Sequence, residues 1–237
     1  FITHHHFDHI GSLFACLGLN MMMHRHQPMN IYGPPGTSKI LDHLIAACDI
    51  PQATGFSVPG QTLPHPRDFI NSRDIQPGEI LYIDDIRISC CENTHYRPED
   101  QFGKQGPISL SYRFDAPDRS MVFTGDTGPC LALEEFAKNA DLLVGELFDT
   151  ELVINRLRAT NPDMSDHALL QMRQHFDEHH LTPEDLGQLA SRAGVKKVVA
   201  VHIPFITKSA EEDAKYVSRI LAKFSGSVTI SEDLAAY

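Results

Sequence analysis

Metal-binding side chains are concentrated near the start of the chain, in the segment Thr3-His4-His5-His6-Phe7-Asp8-His9. Imidazole nitrogens bind zinc, copper, iron and nickel, and a carboxylate can join them as a ligand of zinc. Side chains alternate along an extended segment, so His4, His6 and Asp8 are expected to point to one side and His9 elsewhere. The spacing therefore predicts two metal ions that share one loop.

The alternative interpretation of this segment is a polar loop or part of an affinity tag. A tag is an unbroken run of histidines at a disordered end, whereas Phe7 and Asp8 interrupt this run and an apolar segment begins at Ile10. The chemical types and their spacing together favour the metal site.

Composition and charge limit the class of protein. The 237 residues are 42% hydrophobic, which is enough for a substantial core. The length allows one large domain or two small ones, and we expect one domain over residues 1–237. No apolar run approaches the roughly 18 residues that a membrane span needs. The net charge of -11 disfavours broad attraction to nucleic acid or to an anionic membrane, because phosphate binding needs a basic face.

The five cysteines are odd in number and scattered, and they make no CxxC pair. They predict buried thiols in a reducing compartment rather than a disulfide framework, and hence a cytoplasmic protein. The chain lacks an initiating Met and opens at Phe1-Ile2-Thr3, which has the character of a strand end. We therefore expect a preceding N-terminal segment to be absent from this sequence.

The elements that must position the site follow from hydrophobic periodicity and turn residues. In the first third of the chain we expect a buried helix over 10–23, a strand over 30–32, and a helix over 39–48 capped by Thr37 or Ser38. Residues 52–76 are rich in proline and polar residues, and they predict a loop with little regular structure.

Alternation with period two begins at Glu79 and predicts two hairpins, over 79–91 and 108–123. Thr182 and Pro183 form a cap and a first helical position, which predict a helix that runs to 193. The other expected elements are helices over 131–139, 163–178 and 209–224 and strands over 142–144, 198–203 and 228–230. Hairpins followed by alternating helices and strands predict sheet layers flanked by helices.

A two-metal site needs more ligands than the first motif supplies, and they are expected at strand ends, where a rigid scaffold aims them. His95 follows the strand of the first hairpin, Asp126 follows the second, and His202 ends an apolar strand. Alone, such a histidine is more often a hydrogen-bonded core residue. Three such residues, all after strands, favour the interpretation that they are metal ligands.

With these residues the chain resembles the metallo-β-lactamase superfamily. The segment from Thr3 to His9 is similar to its metal motif, and His95, Asp126 and His202 are similar to its later ligands, in the same order. Within the superfamily the chain most resembles the ribonuclease Z-like hydrolases, in the segments Ile31-Tyr32-Gly33-Pro34-Pro35-Gly36-Thr37 and Phe123-Thr124-Gly125-Asp126-Thr127. The resemblance implies an αββα sandwich whose first N-terminal strands would precede Phe1.

The resemblance also implies a division of the ligands. His4, His6 and His95 would hold one metal ion, Asp8, His9 and His202 would hold the other, and Asp126 would bridge them. Two divalent ions about 3.5–4 Å apart can share and deprotonate a water that attacks an ester. Zinc is expected, with manganese or iron as alternatives, because these metals share such ligands.

A second constellation supplies acid–base chemistry. His180, just before Leu181-Thr182, and Glu146, after a strand, resemble the catalytic histidine and its acidic partner in ribonuclease Z-like proteins. A carboxylate raises the proton affinity of an imidazole, which can then protonate a leaving oxygen. Adjacent His179 leaves the register open, and the alternative is a solvated helix end. Asp8, His180 and Glu146 are the candidate catalytic residues.

The interval between His95 and Asp126 departs from tRNA-processing ribonuclease Z, which carries a long basic arm there. Only 30 residues, 96–125, lie between the two positions, and one loop and one hairpin account for them. With a net charge of -11 the chain has no evident platform for nucleic acid. A compact ester is the expected substrate.

The sequence thus predicts a dinuclear hydrolase of a small ester, with a phosphodiester as first choice. Arylsulfatase, carboxylesterase or lactonase activity is the alternative, with β-lactam turnover as a side reaction. The rivals are a ribonuclease Z-like RNA endonuclease without the arm and a non-enzymatic protein with a degenerate metal site. Because relatives often dimerise, the resemblance also implies a homodimer.

Overall fold

A computed structural model describes residues 1–55, 59–96, 106–204 and 209–237. The chain divides into two compact units, Phe1–Gln76 and Pro77–Tyr237. The expected organisation as one domain stays a prediction. Among the helices in the described part of the chain, none has the length and apolar character needed to cross a membrane.

The first unit is built on two parallel strands, with helices beside them. Its helices are α1 (Phe7–Ile10), α2 (Leu13–Met22), α3 (Thr37–Ala47) and α4 (Asp49–Thr54), and its strands are β1 (Met29–Gly33) and β2 (Ile70–Asp74). A 3-10 turn, Pro66–Asp68, starts behind His65, whose ring accepts a hydrogen bond from the Arg67 amide as a cap. The core joins apolar side chains from these elements and from the residues beside them: Ile2, Leu17, Ile31, Leu41, Ile45, Cys48, Phe69 and Ile70.

Helix α2 is present where it was predicted, but the expectation that it is buried is wrong. Only Leu17 and Met21 are buried, whereas Phe14 and Leu19 are exposed. The segment carries almost no polar side chains, so its sequence has no polar face that marks the solvent side. One face enters the core and the other remains apolar and exposed.

Strand β2 lies inside the segment predicted as loop, so that prediction is wrong. Its sequence, Ile70 to Asp74, is mostly polar and has no alternating pattern. It forms because it pairs in parallel with β1 along its whole length, from Met29 opposite Ile70 to Gly33 opposite Asp74. A pairing between segments so far apart leaves no local signal.

The end of β2 also supplies the cap of α3. The two oxygens of Asp74 accept hydrogen bonds from the amides of Gly36 and Ser38, each at 2.8 Å. The helix begins behind Gly36, whose φ of 106° is accessible chiefly to glycine. The predicted cap by Thr37 or Ser38 is therefore wrong, because a carboxylate from another strand satisfies the first amides and suits the helix dipole.

The second unit contains a seven-stranded sheet in the order β3-β4-β5-β6-β7-β8-β9. The strands are β3 (Ile80–Ile83), β4 (Ile86–Glu92), β5 (Leu110–Asp115), β6 (Ser120–Phe123), β7 (Leu142–Glu146), β8 (Lys197–Val201) and β9 (Ser227–Ile230). Pairing is antiparallel from β3 to β6 and parallel from β6 to β9. Both predicted hairpins are confirmed, and the first turns at Asp84, whose φ is 52°.

Helices connect the parallel strands of this sheet. They are α5 (Leu131–Phe136), α6 (Thr150–Thr160), α7 (Asp166–His179), α8 (Pro183–Ala193) and α9 (Ala210–Leu221). Helix α8 starts as predicted, with a capping box between Thr182 and Asp185 and Pro183 in the first turn. Its buried face packs Leu186 and Ala190 into the core beside the strands.

Helix α6 was not predicted. It begins behind Asp149, whose side chain accepts a hydrogen bond from the Leu152 amide at 3.1 Å. Only Thr150, Val153 and Ile154 are buried, so its apolar stripe is short. The structure adds one helix between β7 and the predicted helix α7, and the strand and helix order otherwise follows the expectation for the second unit.

Candidate metal centre

Four strands of the second unit carry predicted site residues at the same edge of the sheet. Strands β4 and β6 both run antiparallel to β5, and β6, β7 and β8 are parallel, so all four point in one direction. The predicted residues at or beyond their carboxyl ends are His95, Asp126, Glu146 and His202. A rigid sheet therefore aims these side chains into one region.

Asp126 lies between two of the predicted histidine ligands. Its Oδ2 is 4.0 Å from Nε2 of His95, and its Oδ1 is 3.7 Å from Nδ1 of His202. Each carboxylate oxygen thus faces a different imidazole. This arrangement suits a carboxylate that bridges two metal ions, the role that the resemblance implied.

The backbone at His202 takes a sharp turn to place its ring. Its φ is 53°, in the left-handed region that residues with a side chain rarely adopt. Such a conformation costs about 1–3 kcal/mol and persists only where the surrounding structure holds it in place. Here it follows directly on β8 and turns the ring towards Asp126.

Hydrogen bonding determines which ring nitrogen of His95 keeps the lone pair that can bind a metal ion. Its Nδ1 lies 3.0 Å from the backbone oxygen of His179, and a carbonyl oxygen only accepts, so Nδ1 carries the proton. Nε2 therefore keeps its lone pair on the side of Asp126. Metal-binding histidines commonly donate their second N–H to a carbonyl in this way.

Asn93 supports the same loop and was missed as a site residue by the sequence reasoning. Its Oδ1 accepts from the amide of His95 at 3.2 Å, and its Nδ2 donates to the backbone oxygen of Thr124 at 3.0 Å. It therefore ties the loop that carries His95 to the end of β6. The sequence shows only a polar residue between a strand and a predicted ligand, and the contacts of Asn93 depend on the fold.

The structure pairs Glu146 with His180 and not with His179. Nδ1 of His180 lies 2.8 Å from Oε2 of Glu146 and 3.9 Å from Oδ2 of Asp126. The ring of His180 also stacks on Phe148, with centroids 4.3 Å apart. Phe148 was not predicted, although it lies two residues past Glu146 and its amide donates to the Leu181 oxygen.

The buried carboxyl groups of Glu146 and Asp126 are stabilised in their ionised forms by positive charge. Glu146 is 1% exposed, and its burial raises the pKa of its carboxyl well above the ordinary range. The negative charge of Asp126 raises that pKa further, against the amide of Thr127 and the charge of His202, which lower it. Two carboxylates this close and this buried ionise together only beside cations.

In the first unit, three predicted ligands form a cluster of imidazoles. The ring centroid of His4, which is fully buried, is 4.8 Å from that of His6 and 4.0 Å from that of His9. Asp8 reaches the same cluster, with Oδ2 at 3.5 Å from Nε2 of His9. The expectation of a fully extended motif is wrong, because α1 begins at Phe7 and places Asp8 and His9 on a helical turn.

His5, which is not among the predicted ligands, has a partner outside the motif. Its Nε2 is 2.8 Å from Oγ1 of Thr37, which donates its own proton to the oxygen of Pro34 at 2.8 Å. His5 must therefore donate from Nε2. This contact attaches the motif to the first turn of α3.

The donor atoms of the second unit suit divalent cations. In the second unit, ligand atoms of His95, Asp126 and His180 lie within 4.8 Å of one another, as do those of Asp126, Glu146 and His202. Imidazole nitrogen and carboxylate oxygen are donors for zinc and for other first-row metals. The residues present therefore fit the metals that the sequence predicted.

Comparison with known proteins decides the family. The family model described as the beta-lactamase superfamily domain matches residues 1–203. The chain belongs to the metallo-β-lactamase superfamily. As a member of this superfamily, with clustered histidine and aspartate side chains, it is a metal-dependent hydrolase.

Individual relatives of this superfamily member are distant. Ribonuclease Z of Mycobacterium avium is 26% identical over 237 residues, which cover 98% of this chain and 76% of the relative. The metallo-β-lactamase fold protein YhfI from Bacillus subtilis is 18% identical, with a TM-score of 0.62 over 97% of this chain and 72% of that one. Zn(2+)-bound PqqB from Methylobacterium extorquens is 15% identical, with a TM-score of 0.56 over 98% and 69%. These likenesses confirm the predicted α/β fold of metallo-β-lactamase type.

Proposed function

We propose that this chain is a dinuclear hydrolase that cleaves a small phosphodiester. Two divalent ions, zinc first, are the proposed cofactors. Their proposed ligands are His4, His6, Asp8, His9, His95, Asp126 and His202, and the proposed catalytic residues are Asp8, Glu146 and His180. When bound, such ions lower the pKa of water and offset negative charge on the substrate.

The buried pair of His180 and Glu146 is the observation that carries this proposal. The carboxyl group of Glu146, 2.8 Å from Nδ1, orients the imidazole, and when ionised it would favour the protonated ring. Stacking on Phe148 restricts the ring further. An imidazolium held beside Asp126 can protonate a leaving oxygen or offset charge on a phosphoryl group, and both functions suit a phosphodiester.

Sulfate esters, carboxylic esters and lactones are the alternative substrates, because the same nucleophile and acid can act on them. A panel of bis-p-nitrophenyl phosphate, p-nitrophenyl sulfate, a lactone and a β-lactam separates these classes. On protein reconstituted with zinc, we expect the phosphodiester to have the highest kcat/KM. A faster sulfate ester, lactone or β-lactam would refute the assignment to phosphodiesters, and inactivity on the whole panel at full metal occupancy would favour a non-enzymatic role.

RNA is a second candidate substrate, which the name of the mycobacterial relatives favours. Against it stand the net charge of -11 and the short interval between His95 and Asp126. In the described part of that interval, β5 and β6 form a hairpin, and residues 97–105 of the expected loop lie outside the described residues. A small diester remains the proposed substrate.

A further inference from the structure

We propose that His179 is a positioning residue that holds His95 in the orientation and tautomer required of a metal ligand. The proposal rests on the proposed function in one respect, namely the role of His95 as a ligand. His179 is not one of the proposed ligands or proposed catalytic residues. It acts through the loop that carries His95, and it does so with both its backbone and its ring.

Two hydrogen bonds run in opposite directions between His179 and this loop. Nδ1 of His95 donates to the backbone oxygen of His179 at 3.0 Å, and Nδ1 of His179 donates to the backbone oxygen of Thr94 at 2.8 Å. Both acceptors are carbonyls, so the proton position is fixed on each ring. The end of α7 and the His95 loop therefore hold each other at two adjacent points.

Burial makes these contacts costly to lose. His95 is 3% exposed and His179 is 5% exposed. A buried donor or acceptor that loses its partner bears the full cost of its desolvation. Removing the ring of His179 would leave the oxygen of Thr94 without this donor, and the loop would rearrange to satisfy it.

The same contacts close a ring of hydrogen bonds around the centre. The amide of Thr94 donates to Oγ1 of Thr127 at 3.4 Å, and the amide of Thr127 donates to Oε1 of Glu146 at 2.5 Å. Oε2 of Glu146 accepts from His180 at 2.8 Å, and His180 is covalently joined to His179. His179 thus links the proposed metal ligand His95 to the proposed acid His180.

A pair of variants distinguishes the effect of the hydrogen bond from His179 to Thr94 from the effect of packing by the side chain. His179→Leu removes the donor, whereas His179→Asn keeps an N–H near the position of Nδ1. His175→Ala is the matched control, because His175 is exposed, lies one turn earlier on α7, and has its ring 4.7 Å from that of His179. Circular dichroism identifies any variant that fails to fold.

Both readouts start from the metal-free protein and use no substrate. Long-range proton–nitrogen spectra report the tautomer of His95, and competition with a chromophoric chelator reports the affinity for Zn²⁺. In His179→Leu we expect a mixture of His95 tautomers and an affinity about 10–100-fold weaker, the usual loss when a partner of a metal-binding histidine is removed. In His179→Asn and His175→Ala we expect the wild-type tautomer and affinity.

Either variant of His179 can overturn the proposal. A folded His179→Leu with a single His95 tautomer and wild-type affinity would do so. If His179→Leu does not fold, a folded His179→Asn with weakened affinity and mixed tautomers would do so. A protein that holds two metal ions and cleaves no ester would refute the proposed function alone, because neither readout depends on turnover.

Discussion

At the residue scale, the charges around Asp126 determine what the centre can do. The two oxygens of Asp126 face His95 and His202, and the same carboxylate lies 3.9 Å from Nδ1 of His180. One group is thus shared between the proposed ligands and the proposed acid. Its loss and the loss of His180 should therefore have different consequences.

The substitution Asp126→Ala should remove metal as well as activity. If Asp126 bridges two ions, its removal takes one ligand from each of them. We predict that the zinc content per chain falls below the wild-type value, measured by plasma emission on dialysed protein. An unchanged stoichiometry would contradict the bridging role of Asp126.

The substitution His180→Ala should leave metal in place and slow the reaction. Nδ1 of His180 is engaged by Glu146, and the proposed task of the ring is proton transfer, which contributes about 10²–10⁴-fold to the rate. We predict a loss of that size in kcat on bis-p-nitrophenyl phosphate at wild-type metal content. A near-normal kcat would exclude His180 as the acid.

At the element scale, the direction of the strands brings the candidate site residues to one edge of the sheet. Their positions after strands could be predicted from the sequence. His95, Asp126 and His202 could be predicted because each polar residue follows an apolar strand, and their strands do end at one edge of the sheet. Strand β2 could not be predicted, because its polar sequence forms a strand only through its pairing with β1.

The contacts of His179, Asn93 and Phe148 were also beyond the sequence. Each depends on how the end of α7, the His95 loop and the end of β7 approach one another in space. The sequence placed two adjacent histidines at the end of a helix and left open which one meets Glu146. Only the three-dimensional approach distinguishes the partner of Glu146 from the partner of Thr94.

Gly128 provides a test of how closely α7 approaches the Asp126 loop. A Cβ at this position would overlap the backbone oxygen and carbon of Glu178, just before His179. We predict that Gly128→Ala destabilises the protein by about 1–3 kcal/mol, as overpacking does, and lowers activity by displacing the end of α7. The free energy of unfolding in urea measures the first effect.

Gly18→Ala is the control for this measurement. Gly18 lies within α2, and a Cβ there has no heavy atom within 4 Å. Alanine is favoured over glycine in a helix by about 1 kcal/mol, so this variant should be as stable as the wild type or more stable. Equal effects of the two substitutions on the free energy of unfolding would contradict the close approach of Glu178 to Gly128.

At the scale of the whole molecule, the five cysteines are free thiols, and the prediction that they are buried is only partly right. Cys16 is exposed, whereas Cys48 and Cys90 are buried and Cys91 is partly buried. Burial raises the pKa of the Cys91 thiol to about 12 and also raises the pKa of Cys48 and of Cys90. The expected cytoplasmic location remains a prediction.

The reactivity of the thiols tests this description of the folded chain. Since the thiolate is the reactive form, we predict that Cys16 reacts with a disulfide reagent well before Cys91 in the native protein near neutral pH. Mass mapping of the first labelled site gives the result, and unfolded protein, in which all five should react, is the control. Fast native labelling of Cys91 would contradict its burial.

We propose that two metal ions and the residues around Asp126 form one hydrolytic centre for a small diester. Titration of zinc into the metal-free protein, with cleavage of bis-p-nitrophenyl phosphate followed at each addition, tests it most directly. We expect turnover to rise until two equivalents per chain are bound and to be abolished by a chelator. Full turnover at one equivalent, or none at two, would contradict it.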